Sequence, residues 1–191
     1  MSSLSNEQIQ WFQQAFNLMV DNVSQVLLGK RPQIELAFTA MIAEGHLLLE
    51  DYPGTGKTSL ARAMAETVGG TSSRIQFTPD LLPGDVTGIT VYDQRDREFE
   101  FHAGPVFANV VLADEINRTS PKTQSALLEG LEEHTISVDG VTHMLPEPFI
   151  CIATQNPLGF AGTQPLPESQ LDRFMVCLSI GYPSLENQMK I

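Results

Sequence analysis

The chain has 191 residues, enough for one domain of ordinary size with a sizeable hydrophobic core. Lys and Arg total 11 against 23 Asp and Glu, and the resulting net charge of −12 disfavours a nucleic-acid partner, whose binding surface should be basic. Residues 1–7 lack the pattern of a signal peptide, and no apolar run reaches about 18 residues, so we expect neither a leader nor a membrane span.

Two amphipathic helices are predicted at the start of the chain. Ser5 followed by Gln8 is a capping-box pattern for the first. Its predicted buried stripe is Ile9, Phe12, Phe16, Val20 and Val23. The second is predicted to begin at Pro32 and end at Gly45. Its predicted buried stripe is Ile34, Phe38, Met41 and Ile42.

The most informative stretch is residues 51–58, between an apolar strand at 46–50 and a helix-forming run at 59–66. It ends in Gly-Lys-Thr, as a phosphate-binding P-loop does. Glycines let backbone N–H groups surround a polyphosphate, and the helix N-terminus adds its positive dipole end. In this arrangement Lys57 reaches the β- and γ-phosphates, and the Thr58 hydroxyl ligates Mg²⁺.

Asp51 departs from the P-loop pattern because it stands where the first glycine is expected. Asp tolerates left-handed backbone better than most residues, so the turn remains feasible. Its negative charge beside phosphates is an objection to the assignment.

The middle of the chain predicts a strand at 73–77 and two β-hairpins. The first pairs residues 89–92 with 98–101 around a charged tip. The second covers residues 134–145 and turns at Asp139-Gly140, which is typical of a type I′ turn.

A second chemical motif follows the apolar run at 110–113, which predicts a strand buried on both faces. Asp114 and Glu115 lie at its carboxyl end, where open α/β sheets bind ligands. In a P-loop enzyme the first acid helps to hold Mg²⁺, and the second orients and deprotonates the attacking water. Ser120 and Pro121 then begin a helix with Leu127, Leu128 and Leu131 on one face.

The last elements predicted are strands at 149–153 and 175–180, separated by a short helical stretch that ends at 171–174. Asn156 would lie beside the γ-phosphate if its strand neighbours the Asp114 strand; alone it is typical of an Asn-Pro turn. Cys151 and Cys177 are predicted to be buried, reduced thiols of a cytoplasmic protein.

The chain resembles the AAA+ ATPases, and within them the MoxR family. Residues 50–58 look like its P-loop, and some MoxR-like sequences carry Asp at the position of Asp51. Residues 112–118 with 121–129 are similar to its Walker B strand and next helix, 153–157 to its sensor 1 segment, and 165–174 to the stretch that holds its arginine finger.

The resemblance implies an α/β P-loop core with a five-stranded parallel sheet flanked by helices and two inserted hairpins. It assigns residues 1–28 to an N-terminal helix and linker and 32–182 to the nucleotide-binding core. A helical lid carrying sensor 2 would follow, so the chain looks like an isolated core. Implied nucleotide contacts are Asp51, Pro53, Gly54, Thr55, Gly56, Lys57, Thr58 and Ser59, with adenine near Val26, Leu28 and Gly29.

The resemblance also implies a mechanism and partners. ATP or ADP binds with Mg²⁺ held by Thr58 and Asp114, and Glu115, Asn156 and Arg173 are the catalytic residues. Subunits form a hexameric ring that remodels client proteins, commonly with a von Willebrand A-type partner.

Three other functions stay open at this point. A magnesium-chelatase-like subunit differs only in motif detail. An MCM-like nucleic-acid motor would also have both hairpins, but the charge of −12 disfavours it. A scaffold that binds nucleotide without turnover is disfavoured by the presence of Lys57, Asp114 and Glu115 together.

Overall fold

The computed structural model describes residues 5–155 and 166–189 of the chain. Within them, five parallel strands form a central sheet. In chain order the sheet strands are β1 (Leu47–Glu50), β2 (Ser72–Gln76), β5 (Val110–Asp114), β8 (Ile150–Gln155) and β9 (Val176–Leu178). Their spatial order is β2-β5-β8-β1-β9. The predicted five-stranded parallel sheet is therefore confirmed.

Helices cover both faces of this sheet. They are α1 (Asn6–Ser24), α2 (Arg31–Ile42), α3 (Lys57–Thr67), α4 (Pro83–Thr87), α5 (Pro121–Glu133), α6 (Glu168–Leu171) and α7 (Leu185–Gln188), with a 3-10 turn at Ile116–Arg118. The Ser5–Gln8 capping box forms as predicted, and the Ser120 side chain caps α5. None of the helices in the described ranges is long and apolar enough to cross a membrane.

The sheet strands are apolar on both faces because each face meets its own core. On β1, Leu47 and Leu49 join the core beneath α1, α2 and α3, whereas Leu48 joins the core beneath α5. On β5, Leu112 and Ala113 divide between the two cores in the same way. This two-sided burial is what the continuous apolar runs predict for parallel strands.

Two antiparallel hairpins stand outside the sheet, as predicted. One pairs β3 (Gly88–Asp93) with β4 (Glu98–Ala103), and the other pairs β6 (Thr135–Val138) with β7 (Val141–Met144). Asp139 and Gly140 have φ angles of 50° and 80°. Positive φ at both central residues is the signature of the predicted type I′ turn.

Three predicted core positions are exposed instead. Ile9 and Phe12 are about half exposed, because the contacts of α1 with α2 and α3 involve its C-terminal half, where Val20 and Val23 are fully buried. On α2, Ile42 is also about half exposed. It is the last residue of the helix, and Ala37 and Ala40 complete the buried stripe in its place.

The two cysteines differ in environment. Cys151 is fully buried in β8, and burial raises the pKa of its thiol to about 12. Cys177 is exposed, so its predicted burial was wrong. It lies on β9, at the edge of the sheet, where neighbouring structure covers a strand less completely. Neither thiol forms a disulfide in this structure.

Candidate functional site

The loop between β1 and α3 has the backbone geometry that a phosphate-binding turn requires. Gly54 and Gly56 have φ angles of 83° and 91°, in the left-handed region that favours glycine. Gly56 is the N-cap of α3, and no side chain caps that helix. The N–H groups of its first turn are therefore available to an anion, which the helix dipole also favours.

Lys57 folds back over this loop. Its Nζ donates to the carbonyl oxygens of Asp51 at 3.2 Å and Tyr52 at 3.3 Å. Both are long bonds to neutral acceptors, and charge-assisted bonds to phosphate oxygens are stronger. The ammonium group is thus held at the loop in a position from which it can turn to a polyphosphate.

One cavity of about 430 Å³ brings the two predicted motifs together. Parallel pairing of β5 with β2 and β8, and of β8 with β1, puts the carboxyl ends of these strands at one edge of the sheet. The cavity opens at that edge. Its lining residues are Pro53, Gly54, Gly56, Lys57, Thr58, Arg74, Gln76, Asp114 and Glu115.

Asp114 is positioned by a buried threonine that the sequence interpretation did not single out. The Thr154 hydroxyl donates to Asp114 Oδ1 at 2.6 Å and accepts the Glu115 backbone N–H at 2.9 Å. Thr154 is 1% exposed and lies inside β8. One polar residue at the end of an otherwise apolar run was the signal that could have identified it.

The Glu115 backbone is left-handed, with a φ of 58°, directly after β5 ends. Its Oε2 accepts hydrogen bonds from Arg118 Nη1 at 2.6 Å and from Gln76 Nε2 at 3.2 Å. The side chain is one-fifth exposed and faces the cavity. A carboxylate in this place can accept a proton from a water molecule beside the γ-phosphate.

The structure gives the Asp51 carboxylate partners away from the predicted phosphate position. It accepts hydrogen bonds from Ser179 Oγ at 2.7 Å, Ile180 N at 2.6 Å and Gly181 N at 2.9 Å. Asp51 is 3% exposed and is not among the described residues with positive φ. The Asp51 carboxylate therefore points away from the loop and links it to the segment after β9 through these hydrogen bonds. The Tyr182 hydroxyl strengthens the same link by donating a hydrogen bond to the Pro53 carbonyl.

Replacing Asp51 by Ala is expected to lower the free energy of unfolding by roughly 3 kcal/mol, because one buried and one partly buried backbone N–H group lose their charged acceptor. Urea denaturation measures the change. Asp96→Ala, at the exposed tip of the first hairpin, is the control and should stay within about 0.5 kcal/mol of wild type. Equal stability of Asp51→Ala and wild type would show that these hydrogen bonds do not stabilise the fold.

A second cavity of about 240 Å³ adjoins the P-loop and shares Gly54 and Gly56 with the first. Its remaining lining residues are Val26, Leu27, Leu28, Lys30, Thr55, Ser59 and Pro183. The apolar linker between α1 and α2 thus lies next to the phosphate-binding turn. Of the three predicted adenine contacts, Val26 and Leu28 line this cavity and Gly29 does not.

Arg173 and Asn156 are the other two predicted catalytic residues. Arg173 lies after α6, where its Nη1 donates to the Leu128 carbonyl at 2.7 Å and its Nη2 lies 3.3 Å from Glu132 Oε2. Its own chain therefore anchors it on α5. Asn156 lies outside the described residues, but β8 does neighbour the Asp114 strand, the condition on which its assignment depends.

The residues around the first cavity suit a magnesium ion accompanied by nucleotide. Mg²⁺ is usually held by one or two carboxylates or hydroxyls together with phosphate oxygens and water. Thr58 and Asp114 supply such donors in the lining of one cavity. Within residues 5–155 and 166–189 no cluster of three His, Cys, Asp or Glu residues forms an all-protein metal site.

Comparison with known proteins identifies the family. Residues 46–176 match the family described as "ATPase family associated with various cellular activities (AAA)". The chain is 47% identical over 169 residues to Chaperone MoxR1 of Mycobacterium tuberculosis, covering 88% of this chain and 45% of that protein. The chain belongs to the MoxR family of AAA+ ATPases.

Two further comparisons extend the MoxR relationship. The YeaC protein of Bacillus subtilis is 54% identical over 172 residues, which cover 90% of this chain and 54% of YeaC. A crystal structure from Cytophaga hutchinsonii superposes with a TM-score of 0.85 at 40% identity, covering 95% of this chain and 55% of that one. The chain spans about half the length of the curated relatives it matches.

Proposed function

We propose that this MoxR-type chain binds ATP together with Mg²⁺ and hydrolyses it to ADP and phosphate. The observation that carries the proposal is the meeting of Lys57, Thr58, Asp114 and Glu115 around one cavity. These residues come from two motifs more than 50 positions apart. Phosphate binding, metal binding and water activation need these side-chain types in one place.

Each wall of the cavity has its own task in this proposal. The left-handed glycines and the uncapped start of α3 bind phosphate oxygens, and Lys57 turns from the loop carbonyls to the β- and γ-phosphates. Thr58 and Asp114 hold Mg²⁺, which neutralises charge that builds up on the phosphates. Glu115 orients the attacking water and takes its proton. The linker at Val26, Leu28 and Gly29 contacts adenine, which Val26 and Leu28 support by lining the second cavity.

Lys57→Ala is expected to weaken ATP binding at least about 100-fold, because it removes the side-chain cation aimed at the β- and γ-phosphates. Calorimetric titration with ATP and Mg²⁺ measures the affinity. Lys122→Ala, at the exposed start of α5, removes an equal charge outside the cavity and serves as the matched control. Unchanged affinity in Lys57→Ala would overturn the assignment of the P-loop.

We further infer that hydrolysis drives the remodelling or activation of client proteins in a ring of subunits, with Arg173 and Asn156 completing each site. The support is the family itself, whose members at 47% and 32% identity include proteins named Chaperone MoxR1 and MoxR. A hexameric ring, a von Willebrand A-type partner and a cytoplasmic location remain predictions from the resemblance. Copurification with the protein, followed by identification of what binds it, tests the partner and the client proteins.

A further inference from the structure

Each of the two acids at the carboxyl end of β5, Asp114 and Glu115, has an arginine partner. Asp114 Oδ2 lies 2.6 Å from Arg74 Nη2, and Glu115 Oε2 lies 2.6 Å from Arg118 Nη1. Arg118 follows three residues after its partner, so that pair is local. Arg74 is 40 residues away in sequence and reaches Asp114 from the neighbouring strand β2. No sequence motif pointed to Arg74.

The position of Arg74 follows from the sheet register. Gln76 pairs with Asp114 across β2 and β5, and Arg74 lies two residues before it, on the same face of the strand. The Arg74 guanidinium also donates to Gln76 Oε1 at 2.8 Å. Both side chains line the cavity that contains the P-loop. The Arg74 side chain therefore forms part of the cavity wall next to the P-loop.

Both oxygens of the Asp114 carboxylate are in use. Thr154 donates to Oδ1 from inside the sheet, and Arg74 occupies Oδ2 on the cavity side. The Asp114 side chain is 12% exposed, whereas that of Arg74 is 51% exposed. The carboxylate is consequently fixed by its surroundings, and the guanidinium is the member of the pair that has room to move into water.

A divalent cation that reaches Asp114 from the cavity would meet the carboxylate oxygen to which Arg74 donates. Guanidinium stays protonated at any pH a protein tolerates, so proton loss cannot relieve its repulsion from a cation a few ångströms away. Arg74 and Mg²⁺ are thus alternative partners of Oδ2, whether the metal binds it directly or through a water molecule.

We propose that Arg74 is a positioning residue that acts as the counter-ion of Asp114 and must release Oδ2 before Mg²⁺ is held there. This inference rests on the proposed function, because it concerns the metal that accompanies ATP. Release leaves the guanidinium at the wall of a cavity that receives polyphosphate, where its planar fork can bind phosphate oxygens. Arg74 thereby sets how strongly nucleotide binding depends on Mg²⁺.

The test compares the affinity for the non-hydrolysable analogue AMP-PNP in excess Mg²⁺ with that in EDTA, measured by calorimetry. In wild type, the affinity in Mg²⁺ divided by the affinity in EDTA measures how much the metal strengthens nucleotide binding. In Arg74→Gln the ratio should rise about five- to tenfold, since the metal no longer displaces a partly exposed ion pair. Arg74→Lys keeps the charge and should return the ratio to within about twofold of wild type.

Arg118→Gln is the matched control, because it removes the same charge from the partner of Glu115 instead of Asp114. Its ratio should stay within about twofold of wild type. An unchanged or lower ratio in Arg74→Gln, or an equal rise in Arg118→Gln, overturns the role of Arg74. Thermal melting confirms that each variant is folded. If wild type binds no AMP-PNP under either condition, the proposed function itself fails.

Discussion

An Arg173→Ala variant is expected to lose about 10³–10⁵-fold of ATP turnover in the assembled protein, the range for an arginine finger. The reason is that a guanidinium from a neighbouring subunit would stabilise charge on the transferred γ-phosphoryl group. Steady-state phosphate release measures the loss. Arg173→Lys should recover little of it, because Lys lacks the planar fork of Arg.

Action between subunits makes a prediction about mixtures. Arg173→Ala and Glu115→Gln proteins should each be nearly inactive, and mixing them should restore activity. Some interfaces then pair an intact Glu115 with a neighbour's intact Arg173. Subunit exchange is established first with labelled protein. If the subunits exchange and the mixture stays inactive, Arg173 does not act in trans.

The contacts of Arg173 on α5 supply a control. Arg173 is anchored to the Leu128 carbonyl and to Glu132, and an arginine with only that role would stabilise its own subunit. Glu132→Gln breaks the ion pair and leaves Arg173 in place. A finger predicts near-normal turnover in Glu132→Gln, whereas a purely structural pair predicts that Glu132→Gln and Arg173→Ala lower stability and turnover alike.

Replacing Glu115 by Gln is expected to keep ATP affinity and to reduce turnover by about 10²–10⁴-fold, as for a lost general base. Gln has nearly the same shape as Glu but cannot take a proton from water. Calorimetry and phosphate release separate binding from chemistry. Asp114→Asn should instead weaken the binding that depends on Mg²⁺, since it removes the carboxylate charge that we propose holds the metal.

Glu66→Gln is the matched control for Glu115→Gln. Glu66 pairs with Arg62 on the exposed surface of α3, so the same substitution there should change neither affinity nor turnover. Wild-type hydrolysis by Glu115→Gln would mean that the base lies elsewhere and that Glu115 has another role.

The local features of this chain were predictable because neighbouring residues dictate them. The capping box at Ser5, the turn at Asp139-Gly140 and the left-handed glycines of the P-loop each depend on a few consecutive side chains. Apolar runs with no polar alternation likewise indicated parallel strands buried on both faces. The P-loop and the Asp114–Glu115 pair were found in the same way, from short patterns with a chemical reason.

Long-range partners were not predictable, because they depend on which strands lie side by side. Asp51 accepts hydrogen bonds from residues that lie 128, 129 and 130 positions later in the chain. Thr154 and Arg74 each donate a hydrogen bond to Asp114 from 40 positions away. Neither periodicity nor spacing in one sequence specifies the order of the strands in the sheet.

Burial at the margins of the fold also depends partly on local sequence and partly on the packing of distant elements. The stripe on α1 predicted a buried face, yet Phe12 extends beyond the helices that cover Val20. The run around Cys177 predicted a strand correctly, but its position at the edge of the sheet left the thiol exposed. Periodicity therefore indicates which face of an element is apolar, whereas the packing of distant elements determines how much of that face leaves water.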